Sequence, residues 1–143
     1  MTLSQTDVAA GVLSVLIVGD NRDTVLTLGV LLRSEGYLVY LAKNGAEALK
    51  LAEAHRPDAA LLDLHMPESS GFDVAGELQR RYRTECPILI AVTGNADTNN
   101  RRLAETSGFD HFVAKPYAPQ ALLRLIDSLK RKKNLAPALR DSE

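Results

Sequence analysis

The sequence contains a single cysteine, Cys86, among its 143 residues. One thiol cannot form an intramolecular disulfide, and it cannot supply a cysteine metal cluster. This scarcity argues against a disulfide-stapled secreted domain and suits a reducing compartment. The sequence therefore predicts a cytoplasmic protein.

Long apolar runs and a strong net charge are also missing. The apolar stretch from Val8 to Val18 is interrupted by Gly11 and Ser14, is too short to span a bilayer, and lacks the basic flank of a secretory signal. The net charge is -1, which gives no general attraction to nucleic acid or to an anionic membrane. We therefore expect neither nucleic acid nor a membrane among the partners.

The length leaves room for one domain, because 143 residues is close to the usual single-domain size and can bury a real core. Residues 1–13 are predicted to form a flexible leader and residues 14–132 the folded domain. The apolar periodicity fades after Lys133, so residues 133–143 are predicted to form a flexible tail.

Short apolar runs alternate along the chain with longer amphipathic segments. The runs lack polar alternation, which indicates strands that are covered on both faces, and the intervening segments are long enough for helices. The sequence therefore predicts an α/β fold in which a parallel sheet is connected by crossover helices. The predicted strands are residues 15–18, 38–42, 59–64, 88–92 and 112–114.

Helix ends and apolar spacing predict five helices, at residues 22–34, 44–54, 72–82, 96–107 and 119–131. Asn44, followed three residues later by Glu47, resembles a capping box at the start of the second helix. The fourth helix is mostly polar, and Leu103 is predicted to be its main apolar anchor.

Four polar residues follow predicted strands: Asp20 after the first, Asp63 at the end of the third, Thr93 after the fourth and Lys115 after the fifth. The carboxyl ends of parallel strands share one edge, which is where open α/β sheets bind ligands. Paired carboxylates suit Mg²⁺, and an aspartate can also act as a nucleophile toward a phosphoryl group. Lys115 and Thr93 would then stabilise charge on the phosphoryl oxygens. A phosphoryl-handling site is thus predicted at this edge.

Four segments in order carry a resemblance to a known family: V-L-I-V-G-D-N, L-L-D-L-H-M-P-E-S-S-G-F-D, A-V-T-G and V-A-K-P-Y. Together they resemble the receiver domain of two-component response regulators, over about residues 14–132. The resemblance implies a single-domain, flavodoxin-like, doubly wound sheet of five parallel strands in the order 2-1-3-4-5. It also implies a signalling module that is no enzyme beyond assisting its own phosphorylation and dephosphorylation.

The same resemblance assigns residue roles. It makes Asp63 the phosphoacceptor for a phosphohistidine on a histidine kinase or phosphotransfer protein, with Thr93 and Lys115 contacting the phosphoryl group. The Mg²⁺ ligands would be Asp20, Asp63 and the backbone carbonyl of His65.

A switch is implied as well. Thr93 and Phe112 would move together and alter the surface of helix four, strand five and helix five, which would bind a downstream effector or a second copy as a homodimer. The bond between Lys115 and Pro116 is a candidate cis peptide.

Gly19 departs from the family pattern, because receivers usually have a pair of acids after the first strand. The alternative is therefore a degenerate receiver, a binding module that works without phosphorylation. An aspartate-nucleophile phosphatase is the weakest reading, since His65 stands where such an enzyme would ordinarily have its second acid. The sequence leaves open whether the receiver acts alone, in a phosphorelay, or within a larger protein such as a hybrid histidine kinase.

Overall fold

The computed structural model describes residues 12–66, 70–94 and 98–129. Strands and helices alternate throughout this part of the chain, as the apolar runs predicted. The elements are β1 (Ser14–Val18), α1 (Arg22–Ser34), β2 (Leu38–Ala42), α2 (Gly45–His55), β3 (Ala59–Asp63), α3 (Gly71–Tyr82), a 3-10 turn (Arg83–Glu85), β4 (Ile88–Thr93), α4 (Thr98–Thr106), β5 (His111–Ala114) and α5 (residues 119–129).

The strands of the described residues form one five-stranded parallel sheet in the order β2-β1-β3-β4-β5. β1 lies between β2 and β3, so that Val15 pairs with Val39 of β2 on one side and with Ala59 of β3 on the other. This order confirms the flavodoxin-like arrangement. It also brings the carboxyl ends of β1, β3, β4 and β5 to one edge of the sheet.

Two apolar clusters cover the two faces of the sheet. In β1, Val15 and Ile17 belong to one cluster with residues of α1 and α5, whereas Leu16 and Val18 belong to the other, with residues of α2 and α3. Every residue of β1 is buried. Burial on both faces explains why the strand sequences show no polar alternation.

Side-chain caps begin three of the helices. Asn21, Asn44 and Ser70 each accept a hydrogen bond from the backbone N–H three residues later, which satisfies a donor that the first helical turn leaves unpaired. Glu47 also accepts from the backbone N–H of Lys43. The predicted capping box is thus present in a modified form, because its return bond reaches the residue before Asn44.

One packing prediction was wrong. Leu103 of α4 is 45% exposed, whereas the neighbouring Ala104 is 1% exposed and Phe109 is 8% exposed. The helix therefore turns Ala104 toward the sheet, and Phe109, from the following loop, supplies the apolar bulk that was expected of Leu103. A one-residue error in helical phase, about 100° around the axis, accounts for the mistake.

The element bounds differ from the predicted ones by one or two residues. β1 begins at Ser14, β3 ends at Asp63, β4 reaches Thr93 and β5 begins at His111. Leu13 was predicted to belong to the flexible leader, but it is 1% exposed and its carbonyl accepts a hydrogen bond from Leu38. Residues 1–11 of the leader and the predicted tail lie outside the described residues.

No described helix is both long and apolar enough to cross a bilayer.

Candidate functional site

Strand register brings the predicted site residues together at one edge of the sheet. Asp63, the last residue of β3, pairs with Val92 of β4, so Thr93 lies one step beyond it on the neighbouring strand. Thr93 in turn pairs with Ala114 of β5, which places Lys115 directly after it. The convergence that the strand order predicted is therefore present in the fold.

Asp63 is held from two sides. Lys115 Nζ lies 3.1 Å from Asp63 Oδ2, and the backbone N–H of His65 donates to Asp63 Oδ1 over 3.1 Å. The side chain of Asp63 is only 13% exposed and that of Lys115 is 34% exposed. Partial burial strengthens the attraction between the two charges relative to a fully solvated pair. The carboxylate is thus fixed in place but still open to solvent.

Thr93 is fully buried beside this pair, and its carbonyl accepts a 2.8 Å hydrogen bond from the backbone N–H of Lys115. The peptide bond that follows, between Lys115 and Pro116, is cis, as the resemblance implied. Phe112, the predicted switch residue, is half-buried in β5. The guanidinium of Arg101 lies 4.5 Å from the centre of its ring, which is within the range of a cation–π interaction.

Gly19 and Asp20 form the β1–α1 corner of the site. Gly19 is buried and its backbone N–H donates to Ala42, whereas Asp20 is exposed. A Cβ atom added at Gly19 would lie 3.9 Å from Asp63 Oδ2. An acid at position 19 would therefore be directed at Asp63, and its absence leaves Asp20 as the acid that β1 delivers to this edge.

The donor set at this edge fits Mg²⁺ with few protein ligands. Mg²⁺ ordinarily binds one or two carboxylates and keeps several waters, and Asp20 and Asp63 supply two carboxylates. The exposed residue His65 follows in the same loop, and its backbone carbonyl is the third predicted ligand. Within the described residues, no group of three or more His, Cys, Asp or Glu side chains could hold a metal ion. The site is therefore sparse in side-chain ligands.

Sequence reasoning missed the role of Gly71, the first residue of α3. A Cβ atom there would lie 2.6 Å from the carbonyl oxygen of Asp63 and 3.1 Å from the Cα of Leu64. The N–H of Gly71 also donates to the Leu64 carbonyl over 3.2 Å. Glycine thus lets the start of α3 pack directly on the backbone that carries Asp63. A glycine eight residues after an aspartate gives no indication of this contact in the sequence.

Tyr117 was also missed. It lines a small cavity together with Asp63, Lys115 and Gly19. Burial, and to a smaller extent the negative charge of Asp63, raise the pKa of the Tyr117 phenol above its usual value, because both disfavour the phenolate.

Comparisons with known proteins agree with this geometry. The family model for the response regulator receiver domain matches residues 15–127. The transcriptional regulatory protein KdpE of Mycobacterium tuberculosis is 33% identical over 125 residues, which cover 87% of this chain and 54% of KdpE. The chain therefore spans about half the length of this relative.

Two solved structures show the same fold. The CheY-like receiver domain protein from Methanospirillum hungatei JF-1 has a TM-score of 0.78 at 26% identity, over 85% of this chain and 95% of that chain. The receiver domain of the sensor histidine kinase PA1611 from Pseudomonas aeruginosa PAO1 has a TM-score of 0.74 at 29% identity, over 83% and 98%, and was solved with a magnesium ion coordinated in its active site cleft. The chain belongs to the response regulator receiver domains of two-component systems.

Proposed function

We propose that this receiver domain takes a phosphoryl group onto Asp63 from a phosphohistidine on a histidine kinase or phosphotransfer protein. The observation that carries the proposal is the Asp63–Lys115 pair. One carboxylate oxygen is 3.1 Å from a lysine ammonium while the side chain keeps 13% of its surface exposed. Such a carboxylate is fixed for attack and remains accessible to a donor.

In the transfer step, a carboxylate oxygen of Asp63 attacks phosphorus. The phosphorus–nitrogen bond to the donor imidazole breaks, the imidazole leaves with the bonding electrons, and Asp63 becomes an acyl phosphate. Lys115 and Thr93 donate to the phosphoryl oxygens as charge shifts onto them. Mg²⁺, held by Asp20, Asp63 and the His65 carbonyl, would neutralise part of the same charge when bound.

Loss of the phosphoryl group reverses the chemistry with water as the attacking group. The oxygen–phosphorus bond to water forms, the bond to Asp63 breaks, and inorganic phosphate leaves with the carboxylate restored. These steps act on the protein itself. We therefore propose a signalling module and not a turnover enzyme.

The output follows from the change at Asp63, where an acyl phosphate that carries a charge of about -1.5 to -2 at neutral pH replaces a carboxylate of charge -1. We propose that Thr93 and Phe112 respond to this charge and change the surface formed by α4, β5 and α5. Arg101 of α4 already contacts Phe112 of β5, so a movement of that ring changes the packing between the two elements. A downstream effector or a second copy of the chain would bind the altered surface.

Gly19 supports a second candidate, a degenerate receiver that binds partners without phosphorylation. Outer-shell groups around metal ions contribute roughly 10- to 100-fold to affinity or activity. The observation in favour of this candidate is that position 19 is directed at Asp63 but carries no acid. The intact Asp63–Lys115 pair favours the phosphorylated receiver.

Intact mass after treatment with a small-molecule phosphodonor, with and without Mg²⁺, decides between the two. We expect a gain of one phosphoryl group that requires Mg²⁺ and is absent in Asp63→Asn. No gain in the wild type, together with a gain in Gly19→Asp, would establish the degenerate receiver and locate its defect in the metal site.

A further inference from the structure

A small cavity lies beside Asp63, and its lining includes side chains to which the proposed phosphoacceptor chemistry assigns no role. Its volume is about 30 Å³, which exceeds the roughly 10–15 Å³ that one water molecule needs. Its lining is mostly apolar, with a few polar side chains. The polar lining residues are Asn21, Thr24, Asp63, Lys115 and Tyr117.

Gly19 keeps this cavity open. A Cβ atom at position 19 would lie 3.1 Å from Val25 Cγ2 and 3.9 Å from Asp63 Oδ2, and both of these residues line the cavity. Any side chain at position 19 would therefore enter the cavity or displace its walls. The departure from the family pattern thus leaves a water-sized space directly against the phosphoacceptor, with Asp63, Lys115 and Tyr117 in its lining.

Tyr117 lines this cavity together with Asp63 and Lys115. It packs against the apolar cluster beneath α1 and α5, which fixes the ring. A phenol can donate one hydrogen bond and accept another, so it can hold a water molecule that also contacts Asp63.

We propose that Tyr117 is a positioning residue of this site, and that its hydroxyl holds a water molecule in the cavity left by Gly19, against the Asp63 carboxylate. The inference rests on the proposed phosphoacceptor function. The water donates to an oxygen of the phosphoryl group on Asp63, whose charge is stabilised during both formation and hydrolysis of the acyl phosphate. Tyr117 therefore affects both rates in the same direction.

Three variants test this proposal. Tyr117→Phe removes only the hydroxyl, and Gly19→Ala fills the cavity with a methyl group without adding charge. Each is expected to slow phosphorylation by a small-molecule donor, and hydrolysis of the product, by about fivefold, as for the loss of one hydrogen bond. The double variant is expected to be no slower than either single variant, because both changes remove the same water. Tyr40→Phe, whose ring stacks on His55, is the control and keeps both rates.

A spectroscopic measurement separates positioning from packing. The chain has four tyrosines and no tryptophan, so its near-ultraviolet absorbance reports mainly on tyrosine. Phosphorylation is expected to produce a tyrosine difference spectrum in the wild type and in Tyr40→Phe, and none in Tyr117→Phe.

Two results would overturn the proposal while leaving the phosphoacceptor function intact. One is a phosphorylated wild type whose rates and difference spectrum are unchanged in Tyr117→Phe. The other is full additivity of Gly19→Ala and Tyr117→Phe. A wild type that takes up no phosphoryl group with Mg²⁺ present would overturn the proposed function and this proposal together.

Discussion

Aspartates occupy both edges of the sheet, and they differ in the kind of partner they have. At the amino edge, Asp58 Oδ2 accepts from the backbone N–H and the hydroxyl of Ser14, and Asp110 Oδ2 accepts from the backbone N–H of Leu89. At the carboxyl edge, Asp63 accepts from the backbone N–H of His65 and also pairs with the ammonium of Lys115. A hydrogen bond to the backbone holds a strand end in place. The ammonium of Lys115, in contrast, can pair either with the Asp63 carboxylate or with a phosphoryl group bound to it. We infer that Asp58 and Asp110 hold the fold together, whereas Asp63 is the acid available for the proposed phosphoryl chemistry.

The largest expected effect follows from Lys115→Met, which removes the cationic partner of Asp63. We expect phosphoryl uptake to fall by about 100-fold, the usual scale for losing one preorganised stabiliser of transition-state charge. The free energy of unfolding should change by no more than about 1 kcal/mol, because partly exposed ion pairs contribute little to stability. Uptake kinetics and urea unfolding measure the two quantities.

Lys50→Met is the matched control, since Lys50 is exposed on α2. It should leave both quantities unchanged. Normal phosphoryl uptake in Lys115→Met would mean that uptake at the carboxyl edge does not depend on the Asp63–Lys115 pair.

The next largest effect is expected at Gly71, where one substitution should lower both the stability and the phosphoryl uptake of the protein. Gly71→Ala would place a Cβ atom 2.6 Å from the Asp63 carbonyl oxygen, so α3 and the Asp63 backbone must move apart. We expect a loss of about 1–3 kcal/mol in the free energy of unfolding, as for other overpacked sites, and slower phosphoryl uptake. Chemical denaturation and uptake kinetics check both.

Gly76→Ala lies in the same helix with open space around the added Cβ. It is expected to stabilise the protein by about 0.5–1 kcal/mol, because alanine is the better helix former. Equal stability of the two variants would contradict the close approach at Gly71.

The smallest functional effect is expected at the amino edge. Asp58→Ala removes the acceptor for two Ser14 donors and should cost about 1–3 kcal/mol, the penalty for leaving partly buried polar groups unpaired. Phosphoryl uptake by the folded protein should not change. Glu53→Ala, at an exposed position on α2, is the control for stability. A loss of uptake in folded Asp58→Ala would remove the distinction between the two edges.

The fold and the convergence of the candidate site residues could be predicted because they depend on local sequence patterns. Apolar runs set the strands, and a parallel sheet brings Asp20, Asp63, Thr93 and Lys115 to one edge whatever the details of packing. The family resemblance then gave the strand order, and the structure confirmed it.

The remaining features could not be predicted because they depend on how separate elements approach each other. The contact of Gly71 with the Asp63 carbonyl requires the angle at which α3 leaves the sheet. The proximity of Tyr117 to Asp63 requires the path of the loop after β5. Leu103 was assigned wrongly because a nine-residue polar helix offers too few apolar positions to fix which face packs inward.

Chemical mapping of the phosphorylated residue tests most directly whether Asp63 is the phosphoacceptor. Borohydride reduces an acyl phosphate of aspartate to homoserine and releases phosphate, so treatment of the phosphorylated chain marks the acceptor in a peptide map. We predict homoserine at position 63 alone. Homoserine at Asp20 or Asp58, or a phosphoryl group retained on His65 after reduction, would contradict the assignment.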